Sequence, residues 1–291
     1  CIYVVFGGMA IWAISIAGLD NIIAYVPANA ITTNNGGFMF LVVINAVVAV
    51  WAAPAVSASD FTQNASSFRQ QAWGQTLGLV VGYLLFAVAS VCILAGASIH
   101  YGVDTWNVLD IVQKWDSIFA SVFAVLVILM TTISTNATGN IIPAGYQIAA
   151  IAPKKLTYKN GVVIASIISL IICPWKLMEN QESIYLFLDV IGGILGPVIG
   201  VMMAHYFIVM RSDIDLDTLY IEPGNYKYYD NGFNSVAFVV TLFAVLLSLG
   251  GKFIEILEPL SRVSWFVGVI SAFCVYALIK SRTVVNRQEY T

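Results

Sequence analysis

Charged residues are scarce in this sequence, which has 10% Asp, Glu, Lys and Arg against 59% hydrophobic residues. Soluble domains are about 25% charged, and the mean hydropathy of +0.86 shows a strong apolar excess. The core of a soluble domain cannot absorb this much apolar surface. The formal net charge is -3 and no run of Lys or Arg occurs, so nucleic acid is not predicted as a partner. The composition therefore predicts a polytopic membrane protein.

Enzyme and metal-site motifs are also lacking. The four cysteines, Cys1, Cys92, Cys173 and Cys274, each stand alone in apolar sequence, without a CxxC pair or a His at ligand spacing. No nucleophile elbow, phosphate-binding Gly loop or HExxH motif occurs. The sequence thus predicts neither an enzyme nor a bound cofactor. No basic n-region precedes the apolar start, CIYVVFGG, so residue 1 is interpreted as a truncation point rather than a signal peptide.

Eight apolar runs approach the roughly 20 residues that a helix needs to cross a membrane. The predicted spans are 1–18, 38–58, 76–98, 118–139, 161–175, 184–209, 233–251 and 263–280. Alternating ten-residue strands of a membrane barrel fit these long runs poorly. The fold class predicted from these runs is all-α and integral to the membrane.

The placement of Lys and Arg predicts the orientation, because basic residues accumulate in cytoplasmic loops. Nine of the 13 basic residues fall on one side of the predicted topology: Arg69, Lys154, Lys155, Lys159, Arg211, Lys227, Lys280, Arg282 and Arg287. The other side has four: Lys114, Lys176, Lys252 and Arg262. Both chain ends are therefore predicted in the cytoplasm, and loops 19–37 and 99–117 outside.

Two segments between spans are predicted to be surface structures. Residues 104–115 (DTWNVLDIVQKW) have apolar positions at helical spacing, which indicates an interfacial amphipathic helix. Residues 210–232 are acidic and tyrosine-rich, and an ordered cytoplasmic hairpin is predicted there.

The second span contains a helix breaker close to its middle. Trp51 lies about 20 Å along this span, and Pro54 removes a backbone hydrogen bond. Tryptophan usually marks the membrane interface, but this one is too deep for that. Broken helices at mid-membrane are typical of transporter substrate sites. A simple kinked core helix is the alternative.

The fourth span is unusually polar, with Thr131, Thr132, Ser134, Thr135, Asn136, Thr138 and Asn140 in its inner half. At 100° per residue, Thr131, Ser134 and Thr135 share one face, whereas Asn136 and Asn140 share another. Hydroxyls and a carbonyl suit a hard cation, and an amide suits the imide or ureide edge of a planar ligand. Hydrogen bonding between helices is the alternative.

The sixth span has small residues at every fourth position: Gly192, Gly196, Gly200 and Ala204. This stripe predicts a close approach of a neighbouring helix. For Asp189 and His205, which flank the stripe, capping or a local hydrogen bond is the first interpretation and proton handling the second.

Several motifs together resemble the nucleobase:cation symporter family. WAAPAVSASDFT (51–62) is similar to the broken sixth helix of that family, and ISTNATGNIIPA (133–144) to its eighth helix. The basic loop IAPKKLTYKNG (151–161) also matches. PWKLMEN (174–180), IGGILGPVIGVMMAHYFIV (191–209) and SWFVGV (264–269) resemble the bacterial allantoin permeases and hydantoin transporters in particular.

The resemblance implies the leucine-transporter-like fold of two inverted five-helix repeats plus two further helices. Residues 1–291 would form one partial transmembrane transporter domain, with its eight spans corresponding to helices 5 to 12 of twelve. On this assignment, 1–18 ends the first repeat, 38–209 is the second repeat, 233–280 holds the two additional helices and 281–291 is a cytoplasmic tail. Helices 1 to 4 would be missing partners from the same polypeptide.

The resemblance also implies roles for individual residues. Trp51 would stack on the substrate and Asn140 would hydrogen-bond to its edge. Thr131 would give a main-chain carbonyl, and Ser134 and Thr135 their hydroxyls, to a sodium ion. Four positions depart from the family pattern: Val50, Pro54, Gln63 and His205.

The predicted function is uptake of allantoin, hydantoin or a related nucleobase-like compound, by Na+ or H+ symport with alternating access. The expected setting is the plasma-membrane bilayer, with a multi-pass topology and a small-molecule substrate. A cytosine, purine or uracil permease is one alternative, and a truncated remnant without transport activity is another. A membrane-embedded enzyme is disfavoured because no catalytic set is present.

Overall fold

The computed structural model describes residues 2–27, 36–63, 65–102, 107–177, 181–214 and 233–288. Sixteen α-helices occur in this part of the chain. They are α1 Ile2–Ala17, α2 Leu19–Ala24, α3 Gly36–Val50, α4 Ala52–Val56, α5 Ala58–Thr62, α6 Phe68–Gln75, α7 Gly82–Tyr101, α8 Val108–Val112, α9 Ile118–Asn136, α10 Ile142–Ile151, α11 Tyr158–Ile172, α12 Pro174–Leu177, α13 Gln181–Ala204, α14 Ser235–Leu249, α15 Glu258–Ser261 and α16 Ser264–Gln288.

Wider π-helical turns continue three of these helices. They are Thr76–Val81 between α6 and α7, Ala137–Ile141 between α9 and α10, and His205–Val209 after α13. Two of them join neighbouring helices into single rods, Phe68–Tyr101 and Ile118–Ile151, each 34 residues long. These rods extend well past the predicted spans 76–98 and 118–139, because polar residues end an apolar run without ending a helix.

Six helices in the described residues are long and apolar enough to cross a membrane. Two shorter apolar helices, Tyr3–Ala17 and Gly36–Val50, coincide with the first two predicted spans. All eight predicted spans are thus represented by apolar helices. In the spanning windows, 6% to 33% of residues are buried, so most of their apolar surface needs lipid or further helices to cover it.

The break in the second span lies earlier than predicted. The helix is interrupted at Trp51 rather than at Pro54, which sits inside α4. Proline has no N–H to donate to the carbonyl four residues earlier, and its ring clashes with that group; here that residue is Val50, the last of α3. Trp51 instead donates its N–H to the Val48 carbonyl, at 3.0 Å.

The segment predicted as an interfacial helix over 104–115 is shorter and more buried. Only α8, five residues long, is helical there, and residues 103–106 lie outside the described part of the chain. Ile111 and Val112 are fully buried in a core with α1 and α7. Packing against these helices, rather than a membrane surface, covers the apolar face. Most of the predicted hairpin, 215–232, also lies outside the described residues.

The chain divides into two compact units. The first comprises Cys1–Thr32 and Ser59–Ser166, and the second Thr33–Ala58 and Ile167–Thr291. In the first unit, α1 packs along α7, with Phe6 and Ile93 among the buried residues. A methyl group on Gly96 would lie 2.9 Å from the Ala13 Cβ, so the two helices touch closely. The repeat boundaries predicted from the family resemblance remain predictions.

The glycine stripe of α13 packs against α16 in the second unit. A Cβ atom on Gly196 would lie 2.8 Å from the Trp265 carbonyl oxygen, and one on Gly200 only 2.4 Å from that of Val269. Pro197 packs against Gly268 of α16. A Cβ atom on Gly268 would lie 2.5 Å from the Pro197 Cδ. The predicted close approach of a neighbouring helix is confirmed, and α16 is that helix.

Gly200→Ala is expected to destabilise the protein by about 1–3 kcal/mol, because the added methyl group forces two backbones apart. The matched control is Gly7→Ala in α1, where nothing lies within 4 Å of the added Cβ. That change should stabilise its helix by up to about 1 kcal/mol. Thermal unfolding midpoints of the two variants in the same detergent should move in opposite directions. Equal midpoints would contradict the close packing at Gly200.

Candidate functional site

Trp51 occupies the helix break in the second unit. It precedes α4 with φ −93° and ψ 1°, a sparsely populated backbone region in which many active-site residues are found. The ring is half-buried. Ala52 after it is buried, and the Ala55 N–H donates to the Trp51 carbonyl at 2.9 Å. The helix therefore restarts at once, and Trp51 is held at a defined joint rather than in a loop.

Asn45, one and a half turns before Trp51, ties α3 to the start of α16. Its Oδ1 accepts a hydrogen bond from the Trp265 backbone N–H at 3.0 Å. The first N–H groups of a helix have no partner within that helix, so Asn45 caps α16 from another element. The Asn45 side chain is fully buried, and its Nδ2 has no partner among the described residues. Only its acceptor is used.

Further polar bonds join the helices around this cap. Ser264 Oγ donates to the Asp189 carbonyl at 2.8 Å, and Ser248 Oγ donates to the Gly193 carbonyl at 2.9 Å. Lys252 forms an ion pair with the Asp189 carboxylate at 2.9 Å. Ser248 and Ser264 are fully buried. These bonds hold together the helices that position α3 and Trp51.

The hydroxyls of α9 in the first unit fall into two groups. Thr131 and Thr132 donate to carbonyls one turn earlier, Val127 and Ile128, each at 2.8 Å. This local bond is the usual way in which a helix satisfies a threonine. Ser134 and Thr135 make no such bond within the described residues and are exposed. Their oxygens are accordingly available to a ligand.

Asn140 lies in the wide turn Ala137–Ile141 that follows α9. Its Nδ2 donates to Asn136 Oδ1 at 2.7 Å, and Asn136 Nδ2 donates to the Thr132 carbonyl at 3.0 Å. The two amides are therefore neighbours, as their spacing predicts. Within a rod that runs Ile118–Ile151 they lie near the middle, rather than at the inner end of a span. Single π-helical turns are frequent at functional sites.

The structure places four of the five predicted site residues on one rod of the first unit: Thr131, Ser134, Thr135 and Asn140. Trp51 belongs to the second unit. Neither role, substrate contact nor cation ligand, is tested by this placement. The cap made by Asn45 was not predicted, because an isolated Asn in an apolar run carries no sequence signal for a partner 220 residues away.

Asp189 and His205 both have partners on other elements of the chain. His205 Nδ1 lies 2.8 Å from the Tyr276 hydroxyl, which accepts from Asn234 Nδ2 at 2.7 Å. Tyr276 is fully buried. Both residues therefore have structural partners, but the contacts are between distant elements rather than the local bonds or caps that were predicted, and proton handling stays a prediction. The described residues contain no cluster of three His, Cys, Asp or Glu suited to a metal ion; a sodium site uses hydroxyl and carbonyl oxygens instead.

Comparison with known proteins identifies the family. The family model described as "Permease for cytosine/purines, uracil, thiamine, allantoin" matches residues 1–268. The chain belongs to this family. Its members are permeases, so the prediction of a carrier family rather than an enzyme family is confirmed.

Two relatives show how much of a family member is present. The "Putative allantoin permease" of Escherichia coli (strain K12) is 79% identical over 99% of this chain. The "Allantoin permease" of Bacillus subtilis (strain 168) is 38% identical over 96% of it. The chain spans 59% and 56% of the lengths of these two proteins.

The solved structure of Mhp1, a nucleobase-cation-symport-1 family transporter in a closed conformation with bromovinylhydantoin bound, has the same fold. It is 25% identical, with a TM-score of 0.68, over 97% of this chain and 61% of Mhp1. The inward-facing form of Mhp1 matches with a TM-score of 0.66. The predicted leucine-transporter-like, all-helical membrane fold is confirmed.

The cap at Asn45 makes a testable distinction between its two side-chain atoms. Asn45→Leu keeps the shape and removes the acceptor, which leaves the Trp265 N–H buried and unpaired at a cost of about 1–3 kcal/mol. Asn45→Asp keeps the acceptor oxygen. At about pH 4, where burial keeps the carboxyl protonated, it adds no charge and should be the milder change. Thermal unfolding in detergent measures both, with the exposed Asn160→Leu as control. Equal losses for Leu and Asp would show that the cap does not stabilise the fold.

Proposed function

We propose that the complete protein imports allantoin, hydantoin or a related nucleobase-like compound, by cation symport with alternating access. The observation that carries this proposal is the pair of irregular helices in a chain of the permease family: the break at Trp51 and the wide turn that holds Asn140. The relatives named above, and a hydantoin permease of Microbacterium maritypicum that is 30% identical over 74% of this chain, support the substrate class.

The chemistry of Trp51 and Asn140 suits a flat ureide. An indole face stacks on a planar ring, while a side-chain amide both donates and accepts hydrogen bonds. The N–H and C=O groups that alternate around a hydantoin ring need a hydrogen-bond acceptor and a hydrogen-bond donor, respectively. The Asn140 Nδ2 donates to Asn136, and its own Oδ1 can still accept from a substrate N–H. We infer that Trp51 stacks on the substrate and Asn140 orients it.

The hydroxyls of Ser134 and Thr135 suit the coupling cation. Among the described residues, neither hydroxyl donates to a carbonyl of its own helix, whereas the hydroxyls of Thr131 and Thr132 do. Hydroxyl and carbonyl oxygens are the ligands that hard cations prefer. We infer a sodium site at Ser134 and Thr135, completed by the main-chain carbonyl of Thr131. A proton-coupled cycle is the competing possibility and predicts no effect of sodium on binding.

The orientation follows from the distribution of basic residues, nine against four, which favours both chain ends in the cytoplasm. In this proposal the protein spans the plasma membrane, and the segment Val108–Val112 faces outward. Helices that would complete a twelve-helix carrier come from the remainder of the polypeptide. If no such remainder exists, the chain is a remnant that binds and transports nothing, and upstream coding sequence distinguishes the two cases.

Replacing Trp51 tests the substrate site. Trp51→Ala should weaken binding of the transported compound roughly 5- to 150-fold, as expected for loss of one base-on-aromatic stack, whereas Trp51→Phe should retain part of the affinity. Radiolabelled uptake with a panel of allantoin, hydantoin, uracil and cytosine identifies the compound, and equilibrium binding then measures both variants. Trp73→Ala, at an exposed ring on α6, is the control. Unchanged affinity in Trp51→Ala would remove Trp51 from the site.

Coupling between sodium and substrate must be reciprocal. Sodium should therefore tighten substrate binding, and substrate should tighten sodium binding, by the same factor. Ser134→Ala with Thr135→Ala should abolish both effects and leave affinity without sodium nearly unchanged. Asn140→Ala should weaken binding at every sodium concentration. Equilibrium binding with sodium replaced by potassium measures this; a wild-type affinity that does not depend on sodium would refute the cation site.

A further inference from the structure

A cavity lies within the first unit. None of the residues proposed above for the substrate or the cation lines it. It has a volume of about 520 Å³, which falls within the usual range for small-molecule sites. Three parts of the unit form its walls: α1, the end of α7 and the segment that leads into α9. The chemically distinctive wall residues are Trp12, His100, Tyr101, Trp115, Asp116 and Ser117.

Aromatic rings give the cavity rigid, flat walls. The Trp12 and Trp115 rings meet edge to face, with centroids 5.6 Å apart and planes at 69°. The Tyr101 ring centroid lies 6.4 Å from that of Trp12. All three rings pack on the buried core of the unit. Because that core holds them, the cavity presents preformed apolar faces, and such faces favour a planar ligand over an extended chain.

The polar groups of the wall include both an acceptor and donors. Asp116 is exposed and forms no ion pair in the described residues. Ser117 Oγ accepts from the Ala120 N–H at 3.3 Å, so its own hydrogen remains free to donate. The Trp115 indole N–H is buried with no acceptor in this part of the chain. No Lys or Arg lines the cavity, which disfavours an anionic ligand.

We propose that this cavity is a second binding site for a neutral, flat cyclic ureide. The open ureido side group of a compound such as allantoin has two N–H groups that point the same way, and these match the two oxygens of the Asp116 carboxylate. The ring then stacks against the indole of Trp12, and its carbonyl accepts from the hydroxyl donors at the wall. The choice of ligand rests on the proposed function, and with the proposed orientation the cavity opens to the outside, where substrate arrives.

The same walls would also attract an organic cation, because aromatic faces and a carboxylate both favour positive charge. A quaternary ammonium ion, however, leaves the hydroxyl donor of Ser117 unused, whereas a ureide carbonyl uses it. The cavity is open to solvent and larger than one small ring. Binding is therefore weaker than at an enclosed site and suited to capture and release on the way to transport.

The test uses the protein in lipid nanodiscs, labelled with 5-fluorotryptophan and titrated with allantoin. Fluorine signals are assigned with Trp12→Phe and Trp115→Phe. Both signals should shift on titration, also in the Trp51→Ala background. Asp116→Asn should weaken this response about tenfold or more, since it removes a charged hydrogen-bond acceptor. Asp20→Asn, at an exposed carboxylate on α2 that does not line the cavity, should leave the response unchanged.

Trp12→Leu gives a second measure that does not depend on charge, because it removes the stacking face and should abolish the shift at Trp115. Three results would overturn the proposal: no shift of either signal, equal shifts in Asp116→Asn, or shifts that disappear with Trp51→Ala. Shifts produced by tetramethylammonium but not by allantoin would also overturn it in favour of a cation site. Shifts retained in a protein without uptake activity would refute the transport proposal alone.

Discussion

Backbone hydrogen bonding is the constraint on which the rest of this structure depends. In hydrocarbon no water can pair with a free N–H or C=O, so a span has to satisfy these groups within itself. Two departures from the regular α-helix show how such groups are paired in the described residues. Trp51 finds a carbonyl three residues back instead of four, and the wide turn Ala137–Ile141 uses bonds one residue longer. Such places rotate side chains out of the regular helical register, which is useful for a binding site in a membrane.

Helix packing follows from the same environment. Lipid is as apolar as leucine, so burying apolar side chains does little to hold two spans together. In the second unit, association comes instead from close backbone approach along Gly196 and Gly200, and from buried polar bonds at Asn45, Ser248 and Ser264. Each polar bond joins two different helices. The helix before the break at Trp51 is consequently held in place by α16.

Sequence patterns predicted the features that depend on local composition, such as the positions of helices. They missed the contacts that depend on residues distant in the sequence. Apolar runs located the six helices long enough to cross a membrane and the two shorter apolar helices, and the four-residue glycine spacing predicted a close helix neighbour. Helix ends were less predictable, because the polar residues from Thr138 onward do not end a helix when water or protein can hydrogen-bond to their side chains. The burial of Ile111 was missed because the amphipathic pattern over 104–115 fits a membrane surface and a protein core equally well. Asn45 was missed because its partner, the start of α16, is defined only in the folded chain.

The hydroxyls of α9 had two explanations from the sequence, namely hydrogen bonding between helices and binding of a cation. If polar residues in this span served only helix packing, each would be expected to bond either its own helix or a neighbour. Thr131 and Thr132 do bond their own helix, at 2.8 Å each. Ser134 and Thr135 do neither among the described residues, although a carbonyl lies one turn before each of them. An exposed hydroxyl left unsatisfied at mid-rod is costly in lipid but not beside a hydrated ion or a ligand. Helices outside the described residues would satisfy these hydroxyls as well as an ion would, so packing and cation binding both account for them and the cation site stays a proposal.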